Sequence, residues 1–332
     1  MILRVLTRYA TLRRACTFTA LIAICAVALL VLPPALLSGL FTRQRRAKRF
    51  AAFALAYLRA EISGLSTLAR LDPKDEEAHQ ELLRSLLDRL VLSARRNFEL
   101  TVLPPEQGLE LPEGPLLVFS RHAGPGDSFL LVYALIAAGR RPRVVLTERL
   151  MLDPLIDVLL HRTPNCFVGR TPKRRAAATA RIGELTGGLG PRDALLLFPE
   201  GGNFTTARRS RLISRLRSRR AWRLLPVARS LEHVLPAQPS GVFAAVDAAP
   251  PGASVVFVAH TGLDRLETVA EVWQAVPLDH PAQVAWWPVP IGSIPVREDE
   301  RISWLTDWWS RIDGWIDRRE EPEAQPTPGA SP

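Results

Sequence analysis

The longest apolar stretch of the chain lies near its start, where residues 15–42 contain no charged side chain. A helix needs about 20 apolar residues to cross the hydrocarbon core of a bilayer, and this stretch is longer. Pro33 and Pro34 interrupt it, which predicts either a kinked helix or two short helices that form a hairpin in one leaflet. The pattern therefore predicts a membrane anchor over residues 1–49.

Basic residues flank this stretch on both sides, with four arginines before it and five cations after it. A cleaved signal peptide is an alternative, but the stretch is long for one and meets a basic cluster where a cleavage site would lie. The positive-inside rule gives no single orientation when both flanks are basic. This near symmetry suits a hairpin with both of its ends, and the rest of the chain, on the cytoplasmic face of the cell membrane.

Two helical patterns follow in residues 50–98. The first, over residues 50–71, is apolar but carries Arg59, Glu61 and Arg70, which predicts an amphipathic helix at the membrane interface or, equally, a packed core helix. In the second, between residues 74 and 97, leucines recur every three to four positions with charges on the other face. Core packing accounts for that stripe.

Short apolar runs then alternate with helical patterns. The predicted strands are residues 116–120, 144–147, 166–168, 194–198, 255–260 and 283–291, and the predicted helices are residues 127–138, 149–162 and 173–185. Such alternation is typical of an α/β domain, so we expect a mixed, largely parallel sheet flanked by helices.

The last helical pattern is rich in tryptophan. Its apolar residues recur at a spacing of three to four, at Trp304, Trp308, Trp309, Ile312, Trp315 and Ile316. This stripe packs on the core or, alternatively, forms a belt at a membrane interface. Residues 320–332 are polar and rich in proline, which predicts a disordered tail.

Composition limits the partners of the chain. A net charge of +10 and a pI near 10.6 favour an anionic partner, which can be nucleic acid, an acidic lipid surface or a phosphorylated substrate. The densest basic run, residues 208–220, contains no aromatic residue and no nucleic-acid-binding motif, so nucleic acid is not expected. A solvated charged face is the simpler interpretation of most of that run. Three cysteines without Cys-x-x-Cys spacing predict no disulfide framework and no metal site.

The candidate chemistry begins with His122 and Asp127. On a continuous helix, residues five apart point in directions about 140° apart and do not touch. Here a Gly-Pro-Gly turn separates them after an apolar strand, so Asp127 can stand at a helix N-cap and reach back to the imidazole. A histidine oriented by a carboxylate is a general base near neutral pH.

A second polar turn follows another strand, where residues 198–201 read Phe-Pro-Glu-Gly. If the strands are parallel, Glu200 and Gly201 lie at the same sheet edge as His122. Arg170 directly follows a third predicted strand, and a guanidinium group suits bidentate binding of a phosphate.

In order and spacing, four blocks resemble the glycerolipid acyltransferase superfamily, and specifically the 1-acylglycerol-3-phosphate (lysophosphatidic acid) acyltransferases. The blocks are the His-x4-Asp of residues 122–127, the strand that ends in Gly169 and Arg170, the Phe-Pro-Glu-Gly of residues 198–201, and the Val-Leu-Pro-Ala of residues 234–237. The resemblance implies a glycerol-3-phosphate acyltransferase-like fold and assigns residues 99–319 to the acyltransferase domain.

The resemblance also implies a mechanism. His122 would deprotonate the free hydroxyl of a lysophospholipid, which attacks the thioester of acyl-coenzyme A or acyl carrier protein, while Asp127 holds the imidazole tautomer. The implied acceptor is 1-acylglycerol-3-phosphate, bound by Arg170, Glu200 and Gly201, and the product is phosphatidic acid. No metal and no cofactor beyond the acyl-coenzyme A co-substrate is implied.

The chain departs from the family pattern at two places. Gly202 and Asn203 stand where the family has Thr-Arg, so we expect Arg208 or Arg209 to supply the missing guanidinium near Gly202, or a different lysolipid or glycolipid to be the acceptor. Arg121 stands where asparagine is common and would contact an anionic substrate or point to solvent.

Two other classes of protein compete with this assignment. A membrane-bound acyl hydrolase would use the same pair on water, but the chain has no Gly-x-Ser-x-Gly nucleophile motif. A non-catalytic lipid-binding membrane protein would tolerate Gly202 and Asn203, although it has no need of the pair formed by His122 and Asp127.

Overall fold

In the computed structural model, six strands form one sheet, in the order β3-β2-β4-β1-β5-β6. The strands are β1 (Leu116–Ser120), β2 (Arg141–Thr147), β3 (Cys166–Val168), β4 (Asp193–Leu197), β5 (Ser254–Thr261) and β6 (Gln283–Pro290). The first five run parallel to their neighbours, and β6 is antiparallel to β5. The predicted mixed, largely parallel sheet is confirmed.

The structure describes residues 10–41, 45–105, 110–124, 126–169, 171–222, 224–264 and 269–320. The helices are α1 (Ala10–Phe41), α2 (Arg45–Leu68), α3 (Glu76–Phe98), α4 (Asp127–Ala137), α5 (Pro154–His161), α6 (Pro172–Gly187), α7 (Thr206–Ser218), α8 (Leu225–Ser230), α9 (Pro239–Asp247), α10 (Val269–Ala275) and α11 (Glu298–Glu320), with 3₁₀ turns at Glu148–Leu152 and Ile291–Ser293. The predicted disordered tail over residues 320–332 lies, after Glu320, outside the described residues.

The central strands β1 and β4 are buried at every position. Val118 of β1 pairs with Leu196 of β4 on one side and with Val256 of β5 on the other. Strands covered by helices on both faces read as continuous apolar runs, which is why their sequences do not alternate.

One face of the sheet packs on α6, α9 and α11. Phe257 of β5 stacks on Trp308 of α11 with ring centroids 4.6 Å apart, and Trp309 and Ile312 are fully buried beside it. The tryptophan stripe is therefore a core-packing face, and the alternative of a membrane-interface belt is wrong for these residues.

The other face packs on α3 and α4, since Leu87 and Val132 join the same apolar cluster as Val118. In turn α2 packs on α3 and α5, where Leu68 and Leu155 are buried. Of the two interpretations of residues 50–71, packing on the domain is the one that the structure supports.

The N-terminal helix α1 continues through Pro33 and Pro34 without a break, so the hairpin alternative is not what the chain adopts. Among the described residues, this is the one helix that is long and apolar enough to cross a membrane, over Ala10–Ala28. Its first turn is tied to the domain because Arg13 donates to the buried carboxylate of Asp157 at 2.7 Å.

One helical prediction is corrected. Residues 149–162 form a 3₁₀ turn followed by α5, because Pro154 starts a new helix that the Asp153 side chain caps at the Ile156 N–H, 2.8 Å away. The run at residues 208–220, interpreted as a solvated charged face, lies mostly in the surface helix α7, which has no buried residue, so that interpretation agrees with the structure. The helix itself was not predicted, because arginines separate its few apolar positions.

Candidate active site

The two polar turns meet at one edge of the sheet. β1 ends at Ser120 before His122, and β4 ends at Leu197 before Glu200. Because β1 and β4 are parallel neighbours, their carboxyl ends lie side by side. The expectation that both turns share an edge is confirmed, and a direct bond joins them: the His122 N–H donates to Glu200 Oε1 at 2.7 Å.

His122 and Asp127 form the predicted pair, with 3.0 Å between His122 Nδ1 and Asp127 Oδ2. Asp127 is the first residue of α4, and Gly126 occupies the N-cap position that we predicted for Asp127. The same carboxylate oxygen accepts the N–H groups of Ala123 at 2.7 Å and Gly124 at 3.2 Å. The turn that brings the pair together therefore also fixes the carboxylate.

Burial by itself would raise the pKa of Asp127, but the hydrogen bond from His122 and the nearby charge of His260 outweigh it and lower that pKa. An ionised carboxylate only accepts hydrogen bonds, so His122 donates from Nδ1 and keeps its lone pair on Nε2. The His122 side chain is 20% exposed, and no described residue hydrogen-bonds its Nε2. This arrangement can take a proton from a bound hydroxyl group.

Glu200 is buried, with 2% of its surface exposed. Its second oxygen, Oε2, accepts the N–H of Leu235 at 2.8 Å. This hydrogen bond joins the block of residues 198–201 to the block of residues 234–237. Glu200 was predicted to bind the acceptor, but both of its oxygens are taken by backbone groups, and it positions the His122 main chain instead. Burial raises the pKa of Glu200 to about 7.

Arg121 takes neither of the two predicted roles. It is 1% exposed, and its guanidinium group donates to the His260 carbonyl at 2.7 Å, to the His233 carbonyl at 3.0 Å and to the Asp264 carboxylate. These partners lie in β5, in the residues after it and in the segment after α8. Arg121 therefore links these segments to the end of β1 below His122.

His260 is a site residue that the sequence did not reveal. Its Nε2 lies 3.6 Å from Asp127 Oδ2 and 3.2 Å from the Arg121 carbonyl oxygen. Burial lowers the pKa of His260, although the neighbouring Asp127 opposes that shift. The sequence does place His260 near the carboxyl end of a predicted strand, and that strand, β5, is the parallel neighbour of β1. This position was the one indication that His260 lies near His122.

The turn after Glu200 depends on two glycines. Gly201 and Gly202 have φ values of +69° and +148°, which disfavour other residues. A Cβ atom on Gly202 would overlap the Arg208 guanidinium group, which lies against the turn and donates to the Asn203 carbonyl at 2.7 Å. Arg208 therefore stands beside the place where the family carries its Thr-Arg pair.

Arg209 points elsewhere. Its guanidinium group donates to the carbonyls of Leu231 at 2.6 Å and Arg229 at 2.8 Å, so it ties α7 to the segment around α8. Of the two arginines predicted to supply the missing cation, only Arg208 reaches the turn.

Arg170 lies outside the described residues, so its role in phosphate binding stays a prediction. It follows β3, which is separated from β4 by β2 in the sheet. Among described residues, the only metal-ligand cluster is Glu232, His233 and Asp317, which does not include His122 or Asp127.

Residues 99–260 match the family described as Acyltransferase. The fold is similar to the crystal structure of the 1-acyl-sn-glycerophosphate (LPA) acyltransferase, PlsC, from Thermotoga maritima, with a TM-score of 0.55 and 15% sequence identity. That likeness covers 84% of this chain and 100% of the other chain. No curated protein matches the chain.

Proposed function

We propose that this protein is a membrane-bound enzyme that moves a fatty acyl group from acyl-coenzyme A to a lysophospholipid, because residues 99–260 match the Acyltransferase family. The proposed acceptor is 1-acylglycerol-3-phosphate, which gives phosphatidic acid. The observation that carries the proposal is the 3.0 Å contact of His122 Nδ1 with Asp127, which leaves Nε2 facing the partly open site.

In the proposed reaction, His122 Nε2 takes the proton of the acceptor hydroxyl as its oxygen attacks the thioester carbon. The carbon–sulfur bond then breaks, and the imidazolium returns the proton to the leaving thiolate. Asp127 stabilises the imidazolium charge and holds the ring, and it stays ionised throughout. No covalent enzyme intermediate, metal or further cofactor enters this scheme.

Arg208 is the proposed cation for the acceptor phosphate, together with Arg170 and the N–H groups of the turn at Gly201 and Gly202. A guanidinium group matches two phosphate oxygens at once, which an ammonium group does not. The position of Arg208 against Gly202 supports this role. The acyl donor is acyl-coenzyme A or acyl carrier protein.

The membrane-bound character rests on α1, whose apolar sequence suits a bilayer. Arg13 and Arg14 both reach Asp157, so the base of α1 is held against the domain. We propose that the domain faces the cytoplasm of the cell.

The first test is acyl transfer by membranes that contain wild-type protein, His122→Ala or His280→Ala. His280 is exposed and pairs with Asp279, not with His122 or Asp127, so it is the matched control. Loss of the general base lowers transfer about 10²- to 10⁴-fold, and the His280 variant keeps wild-type activity. Equal transfer by all three proteins contradicts the proposal.

The same assay, run with a panel of lysolipids and glycolipids, separates the alternatives. Free fatty acid without acylated lipid indicates a hydrolase, and transfer to another lysolipid reassigns the acceptor. Binding of lipid with no transfer to any acceptor indicates a non-catalytic membrane protein.

A second test concerns the acceptor site. Arg208→Ala is expected to raise the apparent KM for 1-acylglycerol-3-phosphate at least tenfold while the KM for acyl-coenzyme A stays unchanged, because Arg208 is proposed to bind the acceptor phosphate and not the phosphates of coenzyme A. The control is Arg217→Ala, which removes an exposed arginine of the same helix. An unchanged acceptor KM would show that Arg208 does not bind the phosphate, and the same measurement on Arg170→Ala tests that residue.

A further inference from the structure

The positive charge of the chain is concentrated in two segments. Residues 201–231 contain nine arginines and no acidic residue, and residues 1–49 contain nine cations and no acidic residue, while the whole chain has a net charge of +10. The remainder of the chain therefore has a net charge of −8. Within residues 50–332, the excess of positive charge lies in α7 and its flanks, which marks a surface for an anionic partner.

The geometry of α7 directs these charges outward. Arg211, Arg215 and Arg219 are four positions apart, so they share one face of the helix, and all three are exposed. On the inner side, Leu212 and Leu216 are half-buried against the domain. No residue of α7 is fully buried, so the helix lies on the surface of the protein.

Two exposed apolar side chains follow α7 in the chain. Trp222 is 61% exposed and Leu224 is 56% exposed. A row of arginines followed by an exposed tryptophan and leucine is typical of a helix that lies in a membrane interface, where the cations contact lipid phosphates and the apolar groups enter the acyl boundary. Nucleic acid or a soluble acidic protein would match the charge but would not account for the exposed apolar pair.

The position of α7 also favours a membrane. The helix follows β4 at the carboxyl edge of the sheet, on the side where Leu231 joins the cluster of α6, α9 and α11. The anchor α1 contacts the domain at Asp157, in the helix that follows β2, on the opposite side of the sheet. The helix that carries Asp157, α5, and α7 nevertheless follow the carboxyl ends of the parallel neighbours β2 and β4, so a bilayer along that edge of the sheet can meet α1 and α7 together.

We propose that α7, with Trp222 and Leu224, is a second membrane-contact surface that binds the headgroups of anionic lipids in the bilayer that holds α1. The inference rests on the proposed membrane-bound function and adds the lipid class that the domain recognises. Because Arg208 lies in the first turn of α7, contact of this helix with the bilayer places the mouth of the site at the headgroup layer.

The test places an environment-sensitive dye on the full chain in vesicles. Trp222→Cys carries the dye in a background in which Cys16 and Cys25 are replaced by serine. The remaining Cys166 is buried, and burial raises the pKa of its thiol to about 11, so it does not react with the dye under brief labelling. Val296→Cys is the matched control, since Val296 is 89% exposed and follows β6 at the opposite edge of the sheet.

In vesicles with 30% phosphatidylglycerol in phosphatidylcholine, we expect the dye at position 222 to shift to the blue, and in pure phosphatidylcholine to stay unshifted. The dye at position 296 stays unshifted in both. Each arginine near an anionic surface contributes about fivefold to binding, so Arg215→Gln with Arg219→Gln lowers the ratio of shifted to unshifted dye about 25-fold. Arg192→Gln with Arg297→Gln, which removes the same charge elsewhere on the surface, leaves the ratio unchanged.

Absence of a shift that depends on phosphatidylglycerol overturns the inference, as does an equal shift in the Arg215 and Arg219 double variant. A shift produced in pure phosphatidylcholine by an acidic acyl carrier protein would assign the surface to that protein instead. Acyl transfer measured in the same vesicles separates the two proposals. Transfer without the shift overturns only the lipid surface, and the shift without transfer overturns only the proposed function.

Discussion

Glu200 shows how one buried side chain links three segments of the site. Its two carboxylate oxygens accept N–H groups from His122 and Leu235, and its own carbonyl accepts the side-chain amide of Gln238 at 3.2 Å. His122, the proposed general base, is therefore held from its backbone by Glu200 and from its ring by Asp127. Replacing Glu200 is expected to disturb the position of His122.

The raised pKa of Glu200 makes stability depend on pH. In the unfolded chain, a glutamate ionises near its ordinary pKa, whereas in the folded protein Glu200 keeps its proton until the pH nears 7. Its contribution to stability is thus fully present below the ordinary pKa and is lost as the pH rises to about 7.

We expect Glu200→Gln to lower stability by about 1–3 kcal/mol at pH 5, because the amide nitrogen cannot accept one of the two backbone N–H groups. The loss becomes smaller at pH 8, where the wild-type carboxylate is ionised. Thermal unfolding in detergent at both pH values measures this difference. A gap in Tm that stays constant between pH 5 and pH 8 would contradict the raised pKa.

Arg121 and Gly202 are the two places where the residue type looked unusual for the family. Arg121 is explained by Asp264, which supplies the charge that a buried guanidinium group needs. Gly202 is explained by Arg208, whose guanidinium group fills the space that a side chain would take. Each unusual residue therefore has a partner that accounts for it: Asp264 is distant in the chain from Arg121, and Arg208 lies in the helix that follows Gly202.

At the scale of elements, α11 is stabilised by burial of one tryptophan row against β5. Phe257 contacts the rings of Trp304, Trp308 and Trp309 at centroid distances of 5.3, 4.6 and 6.3 Å. The exposed Trp222 after α7 has the same side chain in the opposite environment. Trp309 and Trp222 therefore allow the effect of burial on stability to be compared for the same type of side chain.

We expect Trp309→Ala to destabilise the protein by about 3–5 kcal/mol, because it leaves a cavity in the main core. Trp222→Ala in detergent changes stability by less than about 0.5 kcal/mol, since no described core contact depends on it. Thermal unfolding of the two variants beside wild type measures both effects. Similar losses for the two would show that α11 does not carry the core.

Helices and strands were predicted correctly where the local pattern of apolar residues was regular. The strands were predicted from short apolar runs and α11 from the spacing of its apolar residues, and the structure has all of these elements. α7 was missed because its three large apolar residues, Leu212, Ile213 and Leu216, are scattered among arginines. Residues 149–162 were predicted as one helix because their apolar pattern continues across the break that Asp153 and Pro154 impose.

At the scale of the whole molecule, the first turn of α1 is joined to the domain by a buried carboxylate. Asp157 accepts hydrogen bonds from Arg13 and Arg14. Burial would raise the pKa of Asp157, but His161 and the two arginines lower it to about 2. The stabilisation that this site provides is therefore fully present above the ordinary aspartate pKa and is lost only as the pH falls toward 2.

We expect Asp157→Asn at pH 7 to destabilise the full chain by about 3–5 kcal/mol, because it leaves Arg13 buried without a counter-charge. In a chain that lacks residues 1–41, Asp157 has lost both arginines, so the same substitution is neutral or stabilising. Thermal unfolding of the four proteins tests the coupling. A loss of equal size with and without α1 would mean that Asp157 does not join the anchor to the domain.

Features that depend on neighbours along the chain were predictable from the amino-acid order. They are the apolar N-terminal helix, the alternation that makes an α/β sheet, and the His122–Asp127 pair, because a turn of four residues brings that pair together. The contacts between Arg121 and Asp264, which are 143 residues apart, and between Glu200 and Leu235, which are 35 apart, became visible in the folded chain alone. Such contacts depend on which strands are neighbours in the sheet, and hydrophobic periodicity, which describes one element at a time, carries no information on strand order.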